Sequence, residues 1–400
     1  MGGWLPGLNG RSPLRIGVVG AGFIGAVHAQ AARRAGASIV GVAASTPSST
    51  KEAVAVLGAE RAFADGESLV TSSDIDVVHI CTPNQLHAPL AELALGAGKH
   101  VICEKPLALD LASATHLQSA AERAGNVATV PFVYRFYPLV REIRARLAAG
   151  FGPLRLIHGT YLQDWLSTEE DDNWRVDPTF AGPSRAFADI GSHWCDLVEF
   201  VTGDRLAAVC AELVTALPER RAGSGHVHAF GSGVGSSGTL RSVTTEDVAI
   251  VMFRTVAGVT GSVVISQISS GRKNRLFLEI TGAEATMAFN QEQPETLWVG
   301  RRRASELVQR DPAYLDPAAA PYAKVPPGHP QGYQDCFDAF VADSYRAIEA
   351  GSVDKIDGLP TFADGVRAAL ITEAVLRSAS SHHWEDVEPS SAPESKGVGA

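Results

Sequence analysis

Three groups of residues in this chain have the types and spacing that do chemistry. Gly20-Ala21-Gly22-Phe23-Ile24-Gly25 is a G-x-G-x-x-G loop set between an apolar run and a helical one. Gly20 permits the tight turn, Gly22 lets the backbone approach a pyrophosphate, and Gly25 lets helix and strand pack closely. Phe23 and Ile24 open the helix, whose N-terminal N–H groups and dipole favour phosphate. Lys105 follows Glu104 at a strand end, a cation placed where a developing alkoxide would need one. Asp189 and His193 are spaced i, i+4 and share a face if helical. A histidine oriented by that carboxylate can take or return a hydroxyl proton. Read alone, the pair fits an N-capping aspartate and an unrelated core histidine better. With the glycine loop and Lys105 in the same chain, the catalytic reading takes over.

The elements that must position these groups follow from the apolar pattern. Strand-like runs at Leu14–Gly20, Ser38–Ala43, Asp76–Cys81, His100–Cys103 and Val127–Val130 alternate with helical runs at Phe23–Ala35, Lys51–Leu57, Leu86–Ala97 and Leu111–Ala124. Such alternation implies right-handed crossovers and a doubly wound parallel sheet of the Rossmann kind. Ligands of such a sheet bind beyond the carboxyl ends of its strands. Thr82, Asn84, Glu104 and Lys105 all follow strand ends, so they are expected to line the nicotinamide cleft. After Leu139 the texture changes. Strand-like runs at Leu154–Leu162, Leu206–Leu213, Asp247–Phe253, Thr260–Gln267, Arg275–Thr281 and Ala285–Asn290 follow one another with few helices between. They read as an open, mainly antiparallel sheet with one face covered by helices. Helices are expected over Asp189–Val201, Gln331–Glu349 and Phe362–Ser378, and a mobile Gly/Ser-rich loop over 222–240. The expected organisation is a flexible N-terminus (1–13), a Rossmann domain (14–135), a substrate-binding α/β domain (136–380) and a disordered tail (381–400).

The glycine loop, Cys81-Thr82-Pro83-Asn84-Gln85-Leu86-His87, Glu104-Lys105-Pro106 and Asp189-Ile190-Gly191-Ser192-His193 together resemble the glucose-fructose oxidoreductase and inositol dehydrogenase (Gfo/Idh/MocA) family. The resemblance spans about residues 14 to 380 and includes the two-domain order. It implies a nicotinamide cofactor bound by the glycine loop, Cys81–Asn84, His87, Glu104 and Lys105, with Lys105, Asp189 and His193 catalytic. It also implies that Arg135 and the Trp174-Arg175 pair lie near the substrate. One departure stands out. The family often carries glycines before the aspartate, whereas here the run is Ser184-Arg185-Ala186-Phe187-Ala188, so Arg185 is expected to alter substrate contacts.

The tip of the second strand bears on which dinucleotide is used. Ala43-Ala44-Ser45-Thr46-Pro47 holds no Asp or Glu to bind a ribose 2′-hydroxyl. Ser45 and Thr46 can hydrogen-bond a 2′-phosphate, with Lys51 the nearest cation. Taken alone, this tip leans towards NADP(H) over NAD(H). Tyr161, with the polar and aromatic residues Tyr134, Gln163, Asp164 and Trp174, suits a polyhydroxylated ring. The expected activity is reversible oxidoreduction at a hydroxyl or keto carbon of a sugar, polyol or related cyclic substrate. An alternative keeps the cofactor tightly bound and oxidises a sugar transiently, for glycoside cleavage or sugar-to-sugar hydride transfer. A non-catalytic dinucleotide sensor is disfavoured by the intact Lys/Asp/His set.

Bulk properties set the outer bounds. The net charge of −10 offers no basic field to attract nucleic acid or an anionic membrane. No apolar run is long enough to span a bilayer, and the N-terminus lacks the apolar segment of a secretory signal. Five widely spaced cysteines without a C-x-x-C give no zinc or disulfide signature and fit reduced thiols in a cytoplasm. No metal is expected. The exposed face of the second sheet is expected to pair with a copy of itself, as a dimer or tetramer.

Overall fold

In the computed structural model, which describes residues 12–221 and 238–388, the first apolar run forms β1 (Arg15–Val19), buried except at Arg15. The glycine loop delivers it into α1 (Phe23–Arg34). The chain continues through β2 (Ser38–Ala43), α2 (Pro47–Leu57), β3 (Arg61–Ala62), α3 (Gly66–Val70), β4 (Val77–Ile80), α4 (His87–Gly96), β5 (His100–Cys103), α5 (Leu111–Ala124) and β6 (Ala128–Thr129). The six strands are parallel in the order β3-β2-β1-β4-β5-β6. Strand order reverses between β1 and β4, and that is where a doubly wound sheet opens its ligand crevice. Helix α2 starts four residues before the expected Lys51. Thr46 Oγ1 accepts from the Ser49 N–H, Ser49 Oγ accepts from the Thr46 N–H, and Pro47 opens the first turn.

After α6 (Pro138–Ala148) the second half begins with β7 (Leu154–Leu162) and α7 (Pro178–Ala181). A π-helical turn, Phe187–Gly191, runs into α8 (Ser192–Thr202). The sequence pattern marks Asp189–Val201 as one helix and does not register the wider turn. Next come β8 (Leu206–Val214), β9 (Glu219–Arg221), β10 (Leu240–Ser242), β11 (Val248–Thr255), β12 (Thr260–Ser266), β13 (Arg275–Gly282), β14 (Thr286–Asn290), β15 (Thr296–Gly300) and β16 (Ser305–Gln309). The chain closes with α9 (Tyr333–Ala350), α10 (Phe362–Ser381) and β17 (Glu385–Asp386). Nine strands form one sheet, β16-β15-β14-β13-β7-β12-β11-β8-β17, antiparallel at every step except β7 with β12. Along β11, Ala249, Val251 and Phe253 point into the core while Ile250 and Met252 face out. Trp194 of α8 is fully buried under the inner face and donates to the Phe277 carbonyl.

The last helices return to the first sheet. Helix α9 lies along α1, where Gln334 donates to the Val27 carbonyl and Arg34 pairs with Asp338. Helix α10 lies along α5, where Glu373 accepts from the Leu111 N–H. Thr361 bridges to Thr129 at the outer edge of β6.

The expected disordered tail begins too early. Helix α10 runs to Ser381 and β17 pairs with β8, because Val387 is fully buried there. Residues 389–400, residues 1–11 of the expected flexible N-terminus and residues 222–237 of the expected Gly/Ser loop lie outside the described residues. Leu240 of that stretch is in β10. Among the described residues no helix is long and apolar enough to cross a membrane.

Candidate active site

A cleft of about 1520 Å³ opens beyond the carboxyl ends of β1, β2, β4 and β5 and reaches the second sheet. Gly20 adopts φ +97°, and a Cβ there would stand 2.3 Å from the Cys81 carbonyl oxygen. A Cβ on Gly25 would stand 2.1 Å from the Gly20 carbonyl oxygen, so Gly25 sits behind the loop. A Cβ on Gly22 would meet nothing within 4 Å. Two glycines thus compress the turn, while the third leaves the approach to α1 open. Gly22 is the N-cap of α1 and brings no side chain to cap it, so the helix end fits a pyrophosphate.

Gly20, Gly22, Phe23, Ile24, Ala44, Ser45, Cys81, Thr82, Pro83, Asn84, His87, Glu104 and Lys105 all line this cleft. Thr46 does not, because its hydroxyl is engaged in capping α2. The two ring nitrogens of His87 face the carbonyls of Thr82 and Pro106 at 2.9 and 2.7 Å, so His87 ties two cleft loops together. Asn84 donates to the Ala181 carbonyl and links the first half to α7. Beside Ala44 and Ser45 the wall also carries Glu52, Asp65 and Glu67, which no motif marked. The cations of the cleft, among the described residues, are Lys105, Arg175, Lys273 and Arg241, none of them from that end.

The Lys105 side chain lines the cleft. Its Nζ donates to Asp189 Oδ1 at 2.6 Å and to the Asp189 carbonyl oxygen at 2.8 Å. Asp189 Oδ2 accepts from Gln267 Nε2 at 2.8 Å, and Arg175 Nε stands 3.6 Å from Oδ1. Burial alone would raise this carboxyl, but Lys105 and Arg175 outweigh it and hold it well below the usual carboxylate range. The expectation that Asp189 orients His193 is therefore corrected. A charged ammonium within reach holds a carboxylate more strongly than a neutral imidazole does. Burial and the adjacent Lys105 push the His193 imidazole down to about 3, so it is neutral. Its Nδ1 is buried with no hydrogen-bond partner, and Phe132 and Tyr134 pack edge-on against the ring.

Part of the far wall is polar and uncharged. Tyr161 donates to Asn274 Oδ1 at 2.8 Å and shares a hydrogen bond with Tyr134. Gln163 donates to the same Asn274 oxygen at 2.7 Å and accepts from Trp165 Nε1 at 2.8 Å. The Arg175 guanidinium covers the Trp174 ring at 4.4 Å. Tyr161, Trp174 and Arg175 thus share the cleft with Lys105 and His193.

Two expected substrate contacts fall elsewhere. Arg135 is buried between Asp196 and Asp364 and does not line the cleft, because two carboxylates claim its guanidinium. Arg185 is 1% exposed and pairs with Asp247, beneath the loop that precedes Asp189. Gln267, Asn274 and Tyr333 went unmarked because each is a solitary polar residue brought in by an end of the second half. Among the described residues, no cluster of His, Cys, Asp or Glu is placed to hold a metal ion.

Comparison with known proteins agrees with this geometry. Residues 14–132 match the model of an oxidoreductase family with an NAD-binding Rossmann fold, and residues 140–288 match the GFO/IDH/MocA C-terminal domain. The chain is 34% identical to levoglucosan dehydrogenase of Pseudarthrobacter phenanthrenivorans, over 95% of this chain and 99% of that one. A solved levoglucosan dehydrogenase in complex with NADH and L-sorbose superimposes with a TM-score of 0.85 at 32% identity, covering 94% of this chain and 100% of that one. An inositol dehydrogenase homolog from Azotobacter vinelandii, complexed with NAD+, superimposes with a TM-score of 0.82 at 26% identity, covering 94% and 97%.

Proposed function

The chain belongs to the GFO/IDH/MocA oxidoreductase family, and from that premise we propose an NAD(H)-dependent dehydrogenase that oxidises a ring hydroxyl of a neutral cyclic sugar or polyol. The observation that carries this reading is Lys105, held by Asp189 beside a neutral His193, in the cleft that begins at the glycine loop. His193 takes the hydroxyl proton at Nε2, the ring nitrogen left to the cleft once Nδ1 is buried. The Lys105 ammonium faces the same oxygen and stabilises its developing negative charge. Asp189, braced by a hydrogen bond from Gln267, holds that ammonium in place. The nicotinamide, when bound, accepts or returns the hydride.

The polar, uncharged side chains of Tyr134, Tyr161, Gln163 and Asn274 support a neutral polyhydroxylated ring. The named relatives act on levoglucosan and inositol, which are rings of this kind. NAD(H) is preferred over NADP(H) in this reading, against the lean of the second-strand tip taken alone. Glu52, Asp65 and Glu67 stand where a 2′-phosphate would bring further negative charge, and no cation of the cleft is near that end. Five free cysteines support a reducing, cytoplasmic setting. Ile250, Met252, Trp298 and Leu307 on the outer face of the nine-stranded sheet support a homo-oligomer, measurable by light scattering.

The test is a screen of neutral cyclic sugars and polyols, an anhydrohexose and an inositol among them, with NAD+ and NADP+, following nicotinamide absorbance. Reduction of added NAD+ by at least one of them is expected. Turnover without net reduction of added cofactor would favour the retained-cofactor alternative, and no turnover with either dinucleotide would overturn the proposal.

A further inference from the structure

Behind the cleft, a file of buried polar side chains runs away from Glu104 through the first sheet. Glu104 Oε1 lies 3.1 Å from His28 Nε2 on α1. His28 Nδ1 lies 3.0 Å from His79 Nδ1 on β4, and His79 Nε2 lies 2.9 Å from the Tyr345 hydroxyl on α9. Both histidines are 0% exposed. The other Glu104 oxygen, Oε2, accepts from the main-chain N–H of Lys105 at 3.1 Å. Neither the hydride step nor the proton step described above uses His28, His79 or Tyr345.

Donor arithmetic orders this file. An ionised carboxylate only accepts, so His28 Nε2 donates to it. The two Nδ1 atoms face each other, so one ring donates there and the other accepts; with one proton on each ring, His28 presents a bare Nδ1 and His79 donates from its own. That leaves His79 Nε2 as an acceptor, and Tyr345 donates to it. Every donor therefore points towards Glu104. Burial and the adjacent His28 keep His79 well below the usual imidazole range, and burial keeps the Tyr345 phenol protonated. Burial pushes the Glu104 carboxyl up, but the contact with His28, through both its hydrogen bond and any charge it carries, and then the charge of Lys105 pull it below its ordinary value. Lys105, His193, His87, Cys81, Cys103 and Tyr333 are the other titratable groups that feel Glu104. Among these, the thiols and the phenol are raised by burial and stay neutral. His28 is thus the side-chain donor on which the Glu104 charge depends.

We propose that His28, His79 and Tyr345 are positioning residues, a one-way chain of hydrogen bonds that fixes Glu104 as a carboxylate against the Lys105 N–H and so sets the turn that carries the Lys105 ammonium to Asp189. The consequence for turnover rests on the dehydrogenase reading, whereas the proton order does not.

The first measurement is histidine nitrogen NMR on the full chain without cofactor, with His28→Gln and His79→Asn assigning the signals. His28 is expected as the Nε2–H tautomer and His79 as the Nδ1–H tautomer, with His79 not titrating between about pH 6 and about pH 9. Reversed tautomers, or a normal titration of His79, would overturn the proposal whatever the substrate. The second is the pH profile of turnover. In His28→Leu, Glu104 loses its buried donor and its carboxyl rises, so activity falls at least about tenfold near pH 6 and recovers towards about pH 9. The KM for the sugar stays within about twofold. His28→Gln, which keeps a side-chain N–H for Glu104, restores the acid side. A loss uniform across pH, or one that His28→Gln does not relieve, would show a merely structural role. If His28→Leu does not fold, the NMR result and His28→Gln decide.

Discussion

Lys105 Nζ stands 2.6 Å from Asp189 Oδ1 and 2.8 Å from the main-chain oxygen of the same residue, so one aspartate holds this cleft cation through two oxygens. Lys105 comes from the turn after β5 and Asp189 from the π-helical turn before α8, so this contact also joins the two halves of the molecule across the cleft. Energetic coupling is therefore expected between these two residues. Lys105→Met should lower kcat/KM by about 10² to 10⁴. Asp189→Asn should cost less, and the double variant should be little worse than Lys105→Met alone. Combining Asp189→Asn with His193→Ala should be closer to additive. Steady-state kinetics on the four-member cycles measures both.

The neutral His193 sets the pH response. Its imidazole lies at about 3, so the base form is present from mildly acidic pH upward. In the oxidation direction, the acid limb due to His193 should fall below about pH 5. Lys105 is one of the causes that depress it, so Lys105→Met should move His193 towards the usual histidine value and carry that limb upward. His193→Ala should lower turnover by about 10² to 10⁴ while dinucleotide affinity measured by calorimetry persists. A limb that stays put in Lys105→Met would argue against this electrostatic linkage.

Cofactor choice should respond to one carboxylate. Glu52→Lys replaces repulsion of a 2′-phosphate with attraction, and should raise the NADP(H) to NAD(H) ratio of kcat/KM by about tenfold or more. An unchanged ratio would move the discrimination to Asp65 and Glu67.

The glycine loop offers a contrast that separates folding from binding. Gly25→Ala forces a Cβ to within 2.1 Å of the Gly20 carbonyl oxygen and should cost about 1–3 kcal/mol of stability by denaturant titration. Gly22→Ala places its methyl in open cleft, so it should leave the melting curve unchanged and weaken dinucleotide binding instead.

Much of this was legible in the sequence because short-range signals carried it. The glycine loop and the alternating runs mark the parallel sheet, and Lys105 and His193 stand out by type and position. What was not legible depends on distant partners. Nothing near Asp189 says that its carboxylate will meet Lys105, 84 residues away, before it meets His193, one turn away. Arg135 and Arg185 read as cleft cations because their buried aspartates lie 61 and 62 residues along the chain. Glu52 is not legible from the strand tip, because it belongs to α2, whose first turns return to the same wall. Strands β15 and β16 were missed because the apolar character of Leu297, Val299 and Val308 is spread too thinly over short runs.

The return of α9 and α10 to the first sheet has a consequence for how the protein is made. The nucleotide-binding strands are complete by Thr129, yet the helices that lie along α1 and α5 end at Ala350 and Ser381. About 250 residues must be translated in the interval, which takes tens of seconds at roughly 5–20 residues per second. Throughout that time the nascent first half presents uncovered surface on α1, α5 and the edge at β6. Chaperone engagement on the ribosome should therefore persist until the C-terminal helices emerge, and a chain cut before Tyr333 should aggregate rather than yield a working dinucleotide-binding fragment.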